Sequence, residues 1–207
     1  MNIISNNCIG GFVYRDILHT QYTNPFIWTA ITDNSSFLKF CENFDKIDFQ
    51  NVSITTDATS IYAQNKTALL IDDQYILCFH HVWHDSRYKE PTLIKNWGTG
   101  INVCCDDPAT YIKNKYFERL SRMSVNDKRL FMFYDAGKPY SDIIRLETIC
   151  KKQNAYGIIL TSENLQITED RVLLLKTENS WAKGDWAPIL LEHYTTDILQ
   201  FINKITS

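Results

Sequence analysis

No stretch of the chain approaches the roughly 18 consecutive apolar residues that a membrane span needs, so the sequence contains no candidate transmembrane helix. Glycine and proline are scarce, seven and five in 207 residues, which excludes a collagenous or low-complexity chain. The adjacent Gly10-Gly11 lack any GxGxxG or GKS/T context, so no phosphate loop is present. None of the six cysteines (Cys8, Cys41, Cys78, Cys104, Cys105, Cys150) forms a CxxC pair, which argues against a zinc ribbon or a dithiol redox motif. Cysteines scattered in this way suit a reducing, cytoplasmic setting. There is no block of Lys and Arg: 21 basic residues face 24 acidic ones, for a net charge of −3, so nucleic acid is not an expected partner. Met1 to Gly11 lacks the basic and long apolar regions of a signal peptide and is expected to stay in the mature protein.

What is present is an ordinary globular composition, 44% hydrophobic, enough for the core of one domain spanning residues 1–207. A short apolar strand, Asn2–Ser5, runs into Asn6-Asn7-Cys8. Ile9, Phe12, Val13 and Ile17 then recur at helical spacing, which predicts a helix from Ile9 to His19 with Asn6 or Asn7 as its cap. Gly10 and Gly11 weaken that helix by about 1 kcal/mol each relative to Ala, which makes sense if something must approach closely. Pro25-Phe26-Ile27-Trp28 reads as a buried aromatic corner, and Asp33–Phe44 as a helix. Strands are expected at Val52–Thr55, Ser60–Ala63, Thr67–Ile71 and Gln74–His80, the middle two joined as a hairpin through Gln64-Asn65-Lys66.

Beyond a loop from His84 to Pro108, helices are expected at Ala109–Met123, Asp142–Gln153 and Pro188–Ile205. Strands are expected at Arg129–Tyr134, Tyr156–Leu160 and Arg171–Leu175. Ile189, Leu190, His193, Ile198, Leu199 and Ile202 mark the inward face of the last helix. Alternating strands and helices predict an α/β fold: a mixed sheet flanked by helices, with a strand–turn–helix of the nucleophile type at the start.

Cys8 stands at that turn. A helix start offers unpaired N–H groups and partial positive charge, which lower a thiol pKa and can hold an oxyanion. The Cys8 N–H and the side-chain amide of Asn6 or Asn7 are the expected oxyanion donors. The matching base is a histidine at the end of Gln74–His81, where His80 and His81 face opposite sides of the strand, so that one of them serves. A small, inert cysteine at a tight turn is the plainer account of the same residue.

These residues resemble a known group. Ile4-Ser5-Asn6-Asn7-Cys8-Ile9-Gly10-Gly11 is similar to the opening of bacterial papain-like cysteine peptidase and exopolysaccharide-biosynthesis families of unknown function. Pro25-Phe26-Ile27-Trp28, Phe79-His80-His81-Val82-Trp83 and the helix Tyr111–Leu120 are similar to further segments of that group, in the same order. The resemblance implies a catalytic Cys8–His80 pair and a link to surface polysaccharide. Ile27 stands where the group carries an acid, and His81 where an acid often follows the histidine, which leaves the third member open. Asp135, after the strand Phe131–Tyr134, is the better candidate by position. Asn96 lies in Ile94-Lys95-Asn96-Trp97-Gly98, an echo of the papain-type Asn-Ser-Trp-Gly segment that Asn179-Ser180-Trp181 repeats.

The expected activity is acyl transfer through a thioester on Cys8, with water or a sugar hydroxyl as acceptor. The substrate is thus a small molecule or saccharide. No motif requires a cofactor, although coenzyme A would serve as acyl donor. Two alternatives remain: a non-catalytic binding or assembly protein of the same pathway, and a metal-dependent glycosyltransferase using Asp72-Asp73 or Asp106-Asp107. Paired Asp residues are also common in turns. A metal site from His80, His84, Asp85 and Cys104 or Cys105 lacks a helix to align it, and no metal is expected. Lys115, Arg119 and Arg122 form what reads as an exposed basic line on the central helix.

Overall fold

The computed structural model describes residues 1–20, 22, 24–27, 29–31, 33–58, 66–79, 108–124, 126–135, 140–177 and 187–207. Its first strand, β1 (Asn2–Ser5), is buried at every residue. Three further apolar runs form β6 (Arg129–Tyr134), β7 (Tyr156–Thr161) and β8 (Val172–Lys176). They line up with β1 as a parallel sheet in the order β1-β6-β7-β8. Near-continuous apolar sequence is what a parallel strand covered on both faces requires.

The two-residue period of these strands divides the core. Ile4, Phe131 and Phe133 point to one side; Ile3, Leu130, Met132 and Tyr134 point to the other. On the second side pack α1 (Ile9–Phe12), the π-helical turn Val13–Ile17 and α5 (Ala187–Thr206). On the first lie α2 (Asn34–Asn43), α3 (Pro108–Leu120) and α4 (Arg145–Lys152). The same cluster takes in Leu69, Ile71 and Leu77 of the second sheet, so one apolar core joins the two sheets.

The second sheet is antiparallel, in the order β2-β5-β4-β3, built from β2 (Thr29–Ile31), β3 (Val52–Ala58), β4 (Lys66–Ile71) and β5 (Tyr75–Phe79). The expected α/β fold is present, with its parallel and antiparallel pairings in separate sheets. Asp72 and Asp73 make the β4–β5 turn, with φ of 51° and 53°. Asp tolerates this left-handed region better than most residues. Turn geometry therefore accounts for this acidic pair without a metal.

Several sequence expectations shift. The hairpin partner of β4 is β3, with Ala58 opposite Lys66; the expected strand Ser60–Ala63 lies outside the described residues. The helix predicted over Ile9–His19 is α-helical only to Phe12 and then widens, Leu18 N–H donating to Val13 C=O. Tyr14 goes with the change: its hydroxyl accepts from Ile3 N–H at 3.1 Å and donates to Met1 C=O at 2.7 Å, tying the turn to the start of β1. Among the described side chains of α5 the buried ones are Leu191, Ile198, Phe201, Ile202 and Ile205, and His193 is exposed; the side chains of Ile189 and Leu190 lie outside those described. The basic line on α3 also fails as a surface feature. Arg119 is buried, and Lys115 and Arg122 both pair with Glu118. The bond from Lys115 holds the Glu118 carboxyl below its usual range.

Of the expected aromatic corner, Pro25, Phe26 and Ile27 are buried, and Trp28 lies outside the described residues. The Phe26 ring meets Phe40 at 5.3 Å, Phe49 at 5.6 Å and Phe44 at 6.1 Å. The corner lies along β1: Asn24 Nδ2 donates to Ile3 C=O at 2.8 Å and Ser5 N–H to Phe26 C=O at 3.1 Å. β1 thus has β6 on one edge and the segment leading into β2 on the other.

Candidate functional site

The carboxyl ends of parallel strands in an open α/β sheet are where ligands bind. Here β1 ends in an unusual way. Asn6 keeps its N–H on the ladder, donating to Met132 C=O at 3.1 Å, but its carbonyl turns away and its side chain takes over. Asn6 Nδ2 donates to Tyr134 C=O at 3.0 Å and Asn6 Oδ1 accepts from Tyr134 N–H at 3.0 Å. The freed Asn6 C=O accepts from Ile31 N–H at 3.3 Å. A strand that would have run on beside β6 therefore turns sharply, and the turn carries Cys8.

Asn7 caps the helix that follows, its Oδ1 accepting from Ile9 N–H at 3.0 Å. Ser5 Oγ lies beneath the turn, donating toward Asn7 C=O and Phe26 C=O and accepting from Gly10 N–H at 3.3 Å. Gly11 N–H reaches Ile27 C=O at 3.1 Å as well as Cys8 C=O, and Phe12 N–H reaches Cys8 C=O. All four N–H groups at the helix start are therefore committed. Of the expected oxyanion donors, the Asn6 and Asn7 amides are held by the protein itself, which leaves the Cys8 N–H.

The close approach that Gly10 signals is also internal. A Cβ there would meet Ser5 Oγ at 2.8 Å, Ile3 Cγ2 at 3.0 Å and Ile27 Cγ2 at 3.3 Å. Ser5 is short and hydrogen-bonded, so it has little room to yield. Gly10→Ala is expected to destabilise the fold by about 1–3 kcal/mol despite the better helix propensity of Ala. A urea midpoint equal to or above wild type would contradict this packing.

Cys8 itself is 8% exposed and makes no side-chain cap. Burial pushes its thiol well above the ordinary range, its own backbone N–H pulling back only in part. The expectation of a thiolate held ionised by the helix is thus corrected: a one-turn helix with its donors spent supplies less than desolvation removes. Cys8, Cys41 and Cys150 are all free thiols. Cys41 and Cys150 lie in the core cluster between the sheets, whereas Cys8 belongs to neither cluster.

Asp135 follows β6 and is buried beside the Asn6–Tyr134 pair. Its Oδ2 accepts from Thr161 Oγ at 2.7 Å, Ser162 N–H at 2.8 Å and Ser162 Oγ at 3.2 Å. Asp135 thereby braces the end of β7, and this oxygen is not left over to orient an imidazole. The structure brings Asn6, Asn7, Cys8 and Asp135 to one edge of the sheet. His80, His81 and Asn96 lie outside the described residues, as do His84, Asp85, Cys104, Cys105, Asp106 and Asp107. β5 carries the chain to Phe79, which pairs with Thr29; His80 is next in sequence.

Two residues here were not singled out by their sequence context as contributors to this site: Ser5, under the turn, and Thr29. Thr29 is fully buried, and its hydroxyl has no hydrogen-bond partner among the described residues. A serine or threonine in a short apolar strand carries no motif, so neither could be found without coordinates.

The fold and this edge define an α/β protein with a thiol at the turn that closes its first parallel strand. Residues 1–91 match the model of a domain of unknown function, DUF1919, a span that contains Cys8, Thr29 and His80 but not Asp135. No curated protein and no solved structure matches the chain. Among the described residues no helix is long and apolar enough to cross a membrane, and no group of three His, Cys, Asp or Glu side chains is placed to hold a metal ion.

Proposed function

We propose that the chain is a thiol-dependent acyl-transfer enzyme with Cys8 as nucleophile and His80 as base. One observation carries the reading. Cys8 is held at the carboxyl end of β1 by a turn that uses Ser5, Asn6, Asn7 and Gly10 to fix it there. A cysteine that only fills space would not need such a frame. Support also comes from β2, since Phe79 sits opposite Thr29 and the neighbours Ile27 and Ile31 both bond to the Cys8 turn.

The resting thiol is neutral, so the base takes the proton during attack rather than beforehand. Cys8 sulfur bonds to the acyl carbon, the thiol proton passes to His80, and the leaving group departs with that proton. The acceptor then attacks the thioester, its proton goes to the imidazole, and the carbon–sulfur bond breaks to return the thiol. With water the enzyme is a papain-like hydrolase; with a sugar hydroxyl it is an acyltransferase, which the resemblance to exopolysaccharide-biosynthesis families favours. Coenzyme A fits the donor role. We place the reaction in the cytoplasm, where such thiols stay reduced. Asp135 braces the site through Thr161 and Ser162.

A non-catalytic assembly protein is the second reading, and the raised Cys8 thiol favours it. The test is p-nitrophenyl acetate. The enzyme should release a burst of nitrophenolate equal to the protein present and carry the acetyl group on Cys8 by mass spectrometry. Cys8→Ala should abolish the burst, and His80→Ala should slow it by about 10²–10⁴. A burst that survives Cys8→Ala sinks the enzyme reading.

A further inference from the structure

We infer that Thr29 is the oxyanion donor of the Cys8 site. The inference rests on Cys8 being the nucleophile and adds the group that would stabilise charge on the acyl oxygen. Three observations single out Thr29. It is the midpoint of a segment whose two ends are bound to the two ends of the Cys8 turn, Ile27 C=O to Gly11 N–H and Ile31 N–H to Asn6 C=O. Its side chain is 0% exposed, and its hydroxyl has no hydrogen-bond partner among the described residues. Of the donors expected for this task, the Asn6 and Asn7 amides are already used on Tyr134 and the N–H groups of Ile9 to Phe12 on their own partners, which leaves the Cys8 N–H in need of a second donor.

A buried hydroxyl without a partner is a standing loss of stability, and native proteins rarely keep one without a use. Valine has nearly the same shape, suits a strand better, and would remove that loss. Retaining threonine makes sense when the partner arrives with the substrate. As the Cys8 sulfur bonds to the acyl carbon, the carbonyl electron pair moves onto oxygen, and the Thr29 O–H donates to that oxygen. When the tetrahedral adduct collapses, the pair returns to re-form C=O, the leaving group departs, and the Thr29 hydroxyl is released unchanged. The thiol proton follows the path already given. No oxidant, metal or further reactant enters.

The experiment uses the full chain, p-nitrophenyl acetate as probe, and the variants Thr29→Val, Thr29→Ser and Cys8→Ala. Removing an oxyanion donor should lower the Thr29→Val acylation rate constant by about 10²-fold while KM changes little, and Thr29→Ser should recover to within about fivefold of wild type. Loss of the orphan hydroxyl should at the same time raise the thermal midpoint of Thr29→Val by roughly 2–4 °C. Higher stability together with lower acylation is a combination that a purely structural threonine does not give. Acylation by Thr29→Val at the wild-type rate overturns the inference while leaving Cys8 as nucleophile. A midpoint that falls, with activity lost in proportion and no rescue by Ser, overturns it as well. Nitrophenolate release that persists in Cys8→Ala removes the nucleophile itself, and is read on a different variant.

Discussion

Asn6→Ala should be among the most damaging single substitutions in the chain, unfolding it with a loss of about 2–5 kcal/mol, because one side chain satisfies two buried main-chain groups. Asn6 closes a rung with both the N–H and the C=O of Tyr134, in a setting where water does not substitute. Each group that loses such a partner forfeits the order of 1–3 kcal/mol. The carbonyl keeps a longer contact from Asn7 Nδ2 at 3.4 Å. Asn7→Ala removes a cap and should lose only about 1 kcal/mol. Asn6→Asp keeps the acceptor for the Tyr134 N–H but turns a carboxylate oxygen toward the Tyr134 carbonyl, so it should fall on the damaging side. Urea unfolding of the three variants checks the order. Equal, small losses for Asn6→Ala and Asn7→Ala would mean that the pseudo-rung contributes little.

The same residue shows how far the sequence could be read. The strand Asn2–Ser5, the turn at Cys8, the buried corner at Phe26 and the helix opening at Asp33 were legible, because each rests on a local signal: an apolar run, an Asn pair, a Pro, an Asx side chain. Asp33 does accept from Ser36 N–H, at 2.8 Å. The chemistry of the turn was not legible. Asn6 looks the same in sequence whether its amide faces a substrate or spans to a strand 128 positions away, and only the pairing of β1 with β6 decides. Gly10-Gly11 signalled a close approach correctly, yet the approaching atoms come from Ser5, Ile3 and Ile27. Arg119 misled for a related reason. Lys115 four positions before it and Arg122 three after it are charged, but α3 lies against the second sheet on the face that Ile112 and Tyr116 also cover, and Arg119 is carried inward with them. Local pattern fixes which face of an element is apolar; it does not say what the polar residues at the boundary meet.

The thiols predict a marked weakness in alkali. Cys8, Cys41 and Cys150 are each pushed up by burial, Cys150 to about 12, whereas in the unfolded chain each ionises near 8.5. A group whose folded pKa lies above its unfolded one binds more protons when folded across the window between the two values. Stability therefore falls as pH rises through that window, and below the unfolded value it is unaffected. Each such thiol contributes a slope of about 1.4 kcal/mol per pH unit once it is ionised in the unfolded chain, so three together give about 4 kcal/mol per unit above roughly pH 9. Tyr14 and Tyr116, also raised by burial, steepen the fall above about pH 10. Two units of such a slope, about 8 kcal/mol, remove half or more of an ordinary protein's stability. The urea midpoint should thus be level in its thiol contribution near neutrality and collapse between about pH 9 and 11. Cys150→Ala should be less stable at neutral pH, from the space it leaves, but should lose stability with a slope shallower by about one third between pH 9 and 10. If that slope matches wild type, Cys150 is not ionising on unfolding as its burial requires. The same treatment of Cys8→Ala separates a nucleophile held neutral at rest from one already ionised, since only the former contributes to the alkaline slope.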